Sequence, residues 1–295
     1  MSNQIELRQL QSFLVLAREL HFRNAAEKLF ISQPGLSKQI QQLEHHLGVK
    51  LLERDRRNVR LTKSGAYLSQ QIEYLNGFLS QTFTHLKNLD NGLEGELKIG
   101  FVGSAMQKVI PELIKKCNQK YPELHFVLDE MSNQAQIEAI EKYQIDLGFV
   151  RLNSAPPSIQ LHPIFEEHFT LVLPKGHSIN ATNFKSIQQF EKESFILFSS
   201  DYSSTYYNNI MSIFTDAGFE PKVSHKSIHA NTIFRLVESG LGIAIVPQSL
   251  TYGATKAIGI QTIELTTIRQ KALLSIAWKK ERYAPALDKV LGFLI

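Results

Sequence analysis

The stretch from Asn24 to Glu44, NAAEKLFISQPGLSKQIQQLE, constrains this chain more than any other. Ala25, Ala26 and Leu29 fall on one side of a first helix, and Leu36, Ile40 and Leu43 recur at spacings of four and three in a second. The two stripes must face each other, and the small alanines let the helices cross closely. Phe30 and Ile31 are expected to plug the corner between them. Ser32 is placed to cap the second helix, with Pro34 in its first turn, where a missing N–H costs nothing. Gln33, Pro34, Ser37, Lys38 and Gln41 remain on the outside. Amides and hydroxyls suit base edges and phosphates, and the lysine suits the sugar-phosphate backbone. Together they have the chemistry of a DNA recognition helix.

The flanks support this reading. Upstream, Leu7, Leu10, Phe13, Leu14 and Ala17 form the apolar face of a third helix that can close a small core. Downstream, Leu51 and Leu52 lead into ERDRRNVRL, Glu53 to Leu61, which reads as a two-stranded hairpin carrying Arg54, Arg56 and Arg57 at its tip. Such a wing would lie along phosphates or enter a minor groove, adding affinity rather than sequence reading. Residues 1–65 hold eleven Lys and Arg against six Asp and Glu, while the remainder holds twenty-one against twenty-two, so basicity is concentrated where DNA would lie. A purely structural three-helix core would explain neither the polar outer face nor the arginine-rich hairpin.

These segments, ELRQLQSFLVLA, NAAEKLFISQPGLSKQIQQLE, LGVKLLER and RLTKSG, closely resemble the N-terminal signature of the LysR family of bacterial transcriptional regulators. The family pattern usually has Ser, Thr or Gly where this chain has Arg23. Arginine caps a helix poorly, so either Asn24 caps instead or Arg23 touches phosphate. The resemblance implies a fold of three parts: a winged helix-turn-helix, a long linker helix, and a two-lobed α/β effector domain like the periplasmic solute-binding proteins. It also implies double-stranded promoter DNA, a small-molecule effector and RNA polymerase as partners.

With 295 residues, of which 43% are hydrophobic, two or three modules are expected. No apolar run approaches a membrane span, and MSNQIELRQL lacks the features of a secretory signal, so a cytoplasmic protein with no membrane partner is expected. The single cysteine, Cys117, leaves no internal disulfide and no multi-cysteine metal site, and no metal or cofactor is called for.

Thr62 is placed to cap the next helix, along which Leu68, Ile72, Leu75, Leu79, Phe83 and Leu86 follow a near-heptad spacing. Such a stripe either packs on its own domain or joins two chains. A near-palindromic DNA site favours the second reading. The family resemblance adds antiparallel pairing across a dimer and assembly up to a tetramer. Asn91, Gly92 and Gly95 then make a hinge. The expected domains are therefore 1–65 for DNA binding, 66–90 for the linker and 91–295 for the effector.

Beyond the hinge, strands and helices alternate in a βαβαβ run from Leu97 to Val150, which implies a parallel sheet with right-handed crossovers. A similar set follows from about Leu161 to Val246. The last strands and helix would form a third unit on a purely local reading, whereas the family architecture returns the chain to the first lobe. That gives lobe I as 91–161 with 268–295 and lobe II as 162–267, with crossings near Leu161 to Pro163 and Thr266 to Arg269.

Ligands in such lobes lie beyond the carboxyl ends of strands, where helix N-termini point. Gly103 and Ser104, Ser132 and Asn133, Ser199, Tyr202 and Ser203, and Asn231 occupy four such junctions, although Ser and Asn are also ordinary caps. Arg151 directly follows the buried strand DLGFV and could grip a carboxylate with two parallel hydrogen bonds, or else form a salt bridge between the lobes. The combination of GFVGSA with DLGFVR resembles the LysR branch that senses small organic acids, aromatic intermediates among them. No nucleophile elbow, HExxH, phosphate loop or dinucleotide fingerprint is present, so the chain is read as a regulator and not an enzyme. The alternative is a cytoplasmic solute-binding protein with a helical head and no regulatory role.

Overall fold

The computed structural model describes residues 5–54, 59–90, 95–200, 203–252, 259–281 and 285–295. The chain divides between Thr84 and His85 into two compact units.

In the first unit, α1 (Leu7–Glu19), α2 (Phe22–Lys28) and α3 (Gln33–Leu47) precede a short antiparallel hairpin, β1 (Leu52–Arg54) and β2 (Val59–Leu61). Phe13, Leu16, Ala25, Leu36, Ile40 and Leu43 are fully buried between the helices, as the periodicity requires. Ser32 caps α3, accepting from the Gly35 N–H at 3.2 Å. Glu44, on α3, is buried and accepts from the Leu51 and Leu52 N–H groups at 2.9 and 3.2 Å, which ties the start of the hairpin to α3.

Two local expectations are corrected here. Helix α2 begins at Phe22 rather than Asn24, because the His21 ring accepts from the Asn24 N–H and acts as the cap. Arg23 therefore lies inside the helix, paired with Glu27 one turn on. Phe30 does not plug the corner: it is 95% exposed. The turn closes with the Phe30 N–H bonded to the Glu27 carbonyl and the Ile31 N–H bonded to the Ala26 carbonyl. Phe30 adopts a left-handed backbone with φ of 54°, and Ile31 supplies the apolar contact instead.

Helix α4 (Lys63–Asp90) opens on Thr62, whose hydroxyl accepts from the Gly65 N–H at 2.9 Å. Gly65 is required there, because a Cβ would come within 2.0 Å of the Leu51 carbonyl oxygen. The apolar stripe along α4 serves two purposes. Ile72 is only 2% exposed and, with Leu68, packs into the core of the first unit. Farther along, Leu75, Phe78, Phe83 and Leu86 are exposed.

The second unit contains two sheets with helices around them. Its first lobe holds β3 (Glu96–Phe101), α5 (Val109–Lys120), β4 (His125–Glu130), α6 (Asn133–Glu141), β5 (Leu147–Val150) and β6 (Ile159–Glu167). The second lobe holds β7 (Phe169–Pro174), β8 (Ser194–Phe198), α7 (Ser204–Ala217), β9 (Lys222–Ser227), α8 (Ala230–Glu238), β10 (Ala244–Pro247) and β11 (Ile260–Leu265). The chain then returns with β12 (Ala272–Lys279) and α9 (Pro285–Leu291). In the first lobe the strand order is β4-β3-β5-β12-β6, with β4, β3 and β5 parallel and β12 antiparallel to its neighbours. The final segment thus completes the first lobe rather than forming a third unit. In the second lobe β7 lies between β10 and β11, β8 pairs with β9, and a bridge from Phe195 to Ile243 links the two groups. Gly242 permits that approach: a Cβ there would sit 2.6 Å from the Ser194 carbonyl oxygen.

The first crossing lies later than its sequence suggests. Strand β6 runs through Pro163 to Glu167 and pairs with β12 on both sides of a bulge that leaves Ile164 without a partner. Pro163 does not break it, because β6 is an edge strand and the missing N–H need not join a ladder. The lobes therefore exchange at His168, and the return falls between Leu265 and Ala272. The two crossings lie side by side, with Lys271 Nζ 2.6 Å from His168 Nδ1. Arg269 fastens the return to α7, donating to both Asp216 carboxylate oxygens at 2.7 and 2.8 Å. These bonds hold the Asp216 carboxyl below its ordinary pKa.

Candidate functional site

On the first unit, Gln33, Pro34, Lys38 and Gln41 are exposed along one side of α3 and Ser37 is half-buried, while Leu36, Ile40 and Leu43 face inward. Ser32 is also exposed, although its hydroxyl is engaged in capping. The face is thus free of the protein's own packing. Arg56 and Arg57 lie outside the described residues, as does the side chain of Arg54.

On the second unit, the carboxyl ends of β3, β4 and β5 meet elements of the second lobe around an open pocket of roughly 440 Å³, mouth included. Arg151, 7% exposed, is one of its lining residues. Its Nε donates to Ser104 Oγ at 2.9 Å and its Nη2 to Glu167 Oε1 at 2.5 Å. Glu167 in turn accepts from both the backbone N–H and the hydroxyl of Ser249. Asn133 secures the Arg151 backbone: its Oδ1 accepts from the Arg151 N–H at 2.9 Å and its amide donates to the Arg151 carbonyl at 3.2 Å. The same amide donates to Ser203 Oγ at 2.7 Å, a direct bond between the lobes.

One atom in this network is left over. Arg151 Nη1 is buried and has no hydrogen-bond partner among the described residues. Leaving a buried charged donor unsatisfied is costly, and this one belongs to a residue that lines an open pocket. The remaining walls are largely apolar, with Val102, Phe198, Tyr206, Pro247 and Leu250 among them. The Tyr206 hydroxyl donates to the Ile245 carbonyl at 3.4 Å. Burial drives its pKa well up, and the nearby Arg151 and Glu167 charges pull in opposite directions.

The structure thus gathers Gly103, Ser104, Asn133, Arg151 and Ser203 around one space. The other expected residues stand apart. Ser132 caps α6 through the Ala135 N–H, Ser199 donates its backbone N–H to the Ser227 carbonyl, and Asn231 is exposed while its neighbour Ala230 lines the pocket. Tyr202 lies outside the described residues. The bidentate grip expected of Arg151 is corrected, because the Nε and Nη2 edge is already taken by Ser104 and Glu167. Gly103 and Ser104 lie in a 3-10 turn (Gly103–Gln107) rather than opening a long helix. Pro111 explains the break: its ring would clash with the carbonyl four residues back, so α5 starts at Val109 with the proline in its first turn. Glu167, Ser249 and Tyr206 were missed, since only folding brings them beside Arg151.

Residues 7–66 match the bacterial regulatory helix-turn-helix protein, lysR family, and residues 90–295 match the LysR substrate binding domain. The chain belongs to the LysR family. It is a DNA-binding transcriptional regulator with an effector-binding domain, and its relatives are regulators rather than enzymes. It is 34% identical over 247 residues to the transcriptional regulator BenM of Acinetobacter baylyi, covering 83% of this chain and 81% of that protein. It is 36% identical over 253 residues to CatR of Pseudomonas putida, covering 83% and 84%. The crystal structure of the BenM effector binding domain with its effector benzoate aligns with a TM-score of 0.60 at 26% identity, over 68% of this chain and 91% of that one. Among the described residues, no helix of this LysR regulator is long and apolar enough to cross a membrane, and no group of side chains could hold a metal ion.

Proposed function

We propose that this regulator senses a small, partly apolar organic acid in the pocket around Arg151 and couples its binding to promoter DNA. The observation that carries this reading is the buried, unpaired Nη1 of Arg151. An acid oxygen would satisfy it with a charge-assisted hydrogen bond. Ser104 and Ser203 line the same pocket, and its apolar walls suit a short hydrocarbon body. The benzoate held by the BenM effector domain is such a molecule, which supports the class without naming the effector here. A ligand touching both sides of the Asn133–Ser203 bond would bind the closed pocket better than an open one, and only such a difference can shift the equilibrium between them. The wider reading places 1–65 on DNA, pairs two or more chains through 66–90, and puts the protein in the cytoplasm with RNA polymerase as a further partner.

A thermal-shift series tests the acid reading. Benzoate at millimolar concentration is expected to raise the melting temperature of segment 91–295, because a ligand held only by the folded state stabilises it. Benzamide and benzyl alcohol, of similar shape but uncharged, should not. Equal shifts from the acid and the neutral compounds would show that Arg151 Nη1 is not an acid-binding group.

The DNA-binding face carries its own expectation. Gln33→Ala and Ser37→Ala should each reduce discrimination between operator and random DNA by about 1 to 3 kcal/mol, as for lost base-edge contacts. Arg56→Ala should weaken both DNAs alike and lower the slope of log affinity against log salt by about one unit. Fluorescence anisotropy at several salt concentrations separates the two. An unchanged specificity ratio in the α3 variants would remove α3 as the reading element.

A further inference from the structure

We propose that the effector of this regulator is an acid that also carries a hydrogen-bond donor, a hydroxyl or an amine, directed at Glu130. This rests on the acid reading above and narrows it. Arg151 does not give the pocket a positive field, because its charge is compensated at contact distance by Glu167, itself buried. Among the described residues the other charged side chain lining the pocket is Glu130, at the end of β4. Its carboxylate leans against the turn that also holds Ser104: a Cβ on Gly103 would meet Glu130 Oε1 at 2.8 Å. Glycine at 103 therefore leaves room for this acid, not only for a ligand. Among the described residues the ion-pair partner of Glu130 is His229, across the pocket mouth on the second lobe. Its Nδ1 lies 3.9 Å away, beyond hydrogen-bond reach.

Arg151, which lines the pocket, thus holds an unsatisfied donor, Glu130 adds an acceptor carboxylate, and Phe198, Tyr206 and Leu250 add apolar surface to the same lining. A plain carboxylate would satisfy the first and be repelled by the second. An acid with a donor elsewhere on its body satisfies both, and the Glu130 charge then selects for it rather than against it. Because Glu130 lies at the partly open rim, the preference is moderate rather than absolute.

Calorimetry on the full-length protein tests this with benzoate, the ortho, meta and para hydroxy- and aminobenzoates, and the three methoxybenzoates as controls of similar size without a donor. At least one hydroxy- or aminobenzoate is expected to bind about fivefold or more tighter than both benzoate and its methoxy counterpart, the gain of one charge-assisted hydrogen bond at a wet rim. In Glu130→Met that advantage should vanish, while benzoate binds as tightly as to wild type or more so. Glu130→Gln, which keeps an acceptor without the charge, should fall between, and it serves as the second variant should methionine disturb folding. Benzoate binding wild type as tightly as every donor-bearing derivative would overturn the proposal, as would an advantage that survives in Glu130→Met. Both of those results leave the acid reading intact. If no acid in the series binds, benzoate included, the acid reading itself fails and this narrower one falls with it.

Discussion

Arg151→Ala is expected to destabilise the effector-binding unit by about 3 to 5 kcal/mol, the usual cost of leaving one member of a buried ion pair uncompensated. Glu167 is nearly inaccessible, and the guanidinium is its charge partner. The two bonds from Ser249 remain in the variant and should hold the loss toward the lower end of that range. Ser104 loses its donor at the same time. The physical cause is a stranded carboxylate, so a second change should reverse it. Combining Arg151→Met with Glu167→Gln removes both charges and should recover most of the stability while leaving the pocket without its acid-binding nitrogen. Chemical denaturation of segment 91–295 reads the first effect and ligand titration the second. A single alanine variant within about 0.5 kcal/mol of wild type, the range of an ordinary surface change, would mean that the pair is not a buried one in solution.

The second large effect belongs to α4. Leu75→Glu with Phe83→Glu should leave both units folded yet lower operator affinity by about 10²- to 10⁴-fold, the contribution of holding two DNA-binding heads at one effective concentration. Both side chains are partly exposed in the single chain, Leu75 by 38% and Phe83 by 57%, so little intramolecular packing is lost. Ile72 provides the contrast. It belongs to the core of the first unit, and Ile72→Glu should unfold that unit instead. Sedimentation and operator binding distinguish the two. A double variant that remains associated and binds its operator as wild type does would remove α4 as the joining element.

The parts of this structure that were legible in the sequence are those whose cause is local. A stripe at spacings of three and four, a serine before a Gln-Pro turn, and Thr62 ahead of Gly65 each act within a few residues, and α3 and the start of α4 form where those signals place them. Phe30 shows the limit. An aromatic residue in a tight turn suggests burial, but the left-handed backbone of the turn carries it into solvent. The first crossing, placed near Leu161 to Pro163, falls later because β6 continues along β12 to Glu167. The pocket was half legible: strand-to-helix junctions pointed to Ser104, Asn133, Arg151 and Ser203, whereas Glu167 and Ser249 reach Arg151 only through the sheet order and the crossing at His168. Nothing in the local pattern could show that two of the three guanidinium nitrogens are already committed. The free one could be recognised only with the network in view.

A crystal structure of segment 91–295 with the tightest-binding acid of the benzoate series tests the central claim most directly. The account predicts a carboxylate oxygen about 2.7 to 2.9 Å from Arg151 Nη1, as expected of a charge-assisted bond, with the Arg151 contacts to Ser104 and Glu167 kept. An acid bound elsewhere, or bound in this pocket with Nη1 still unpaired, would contradict it.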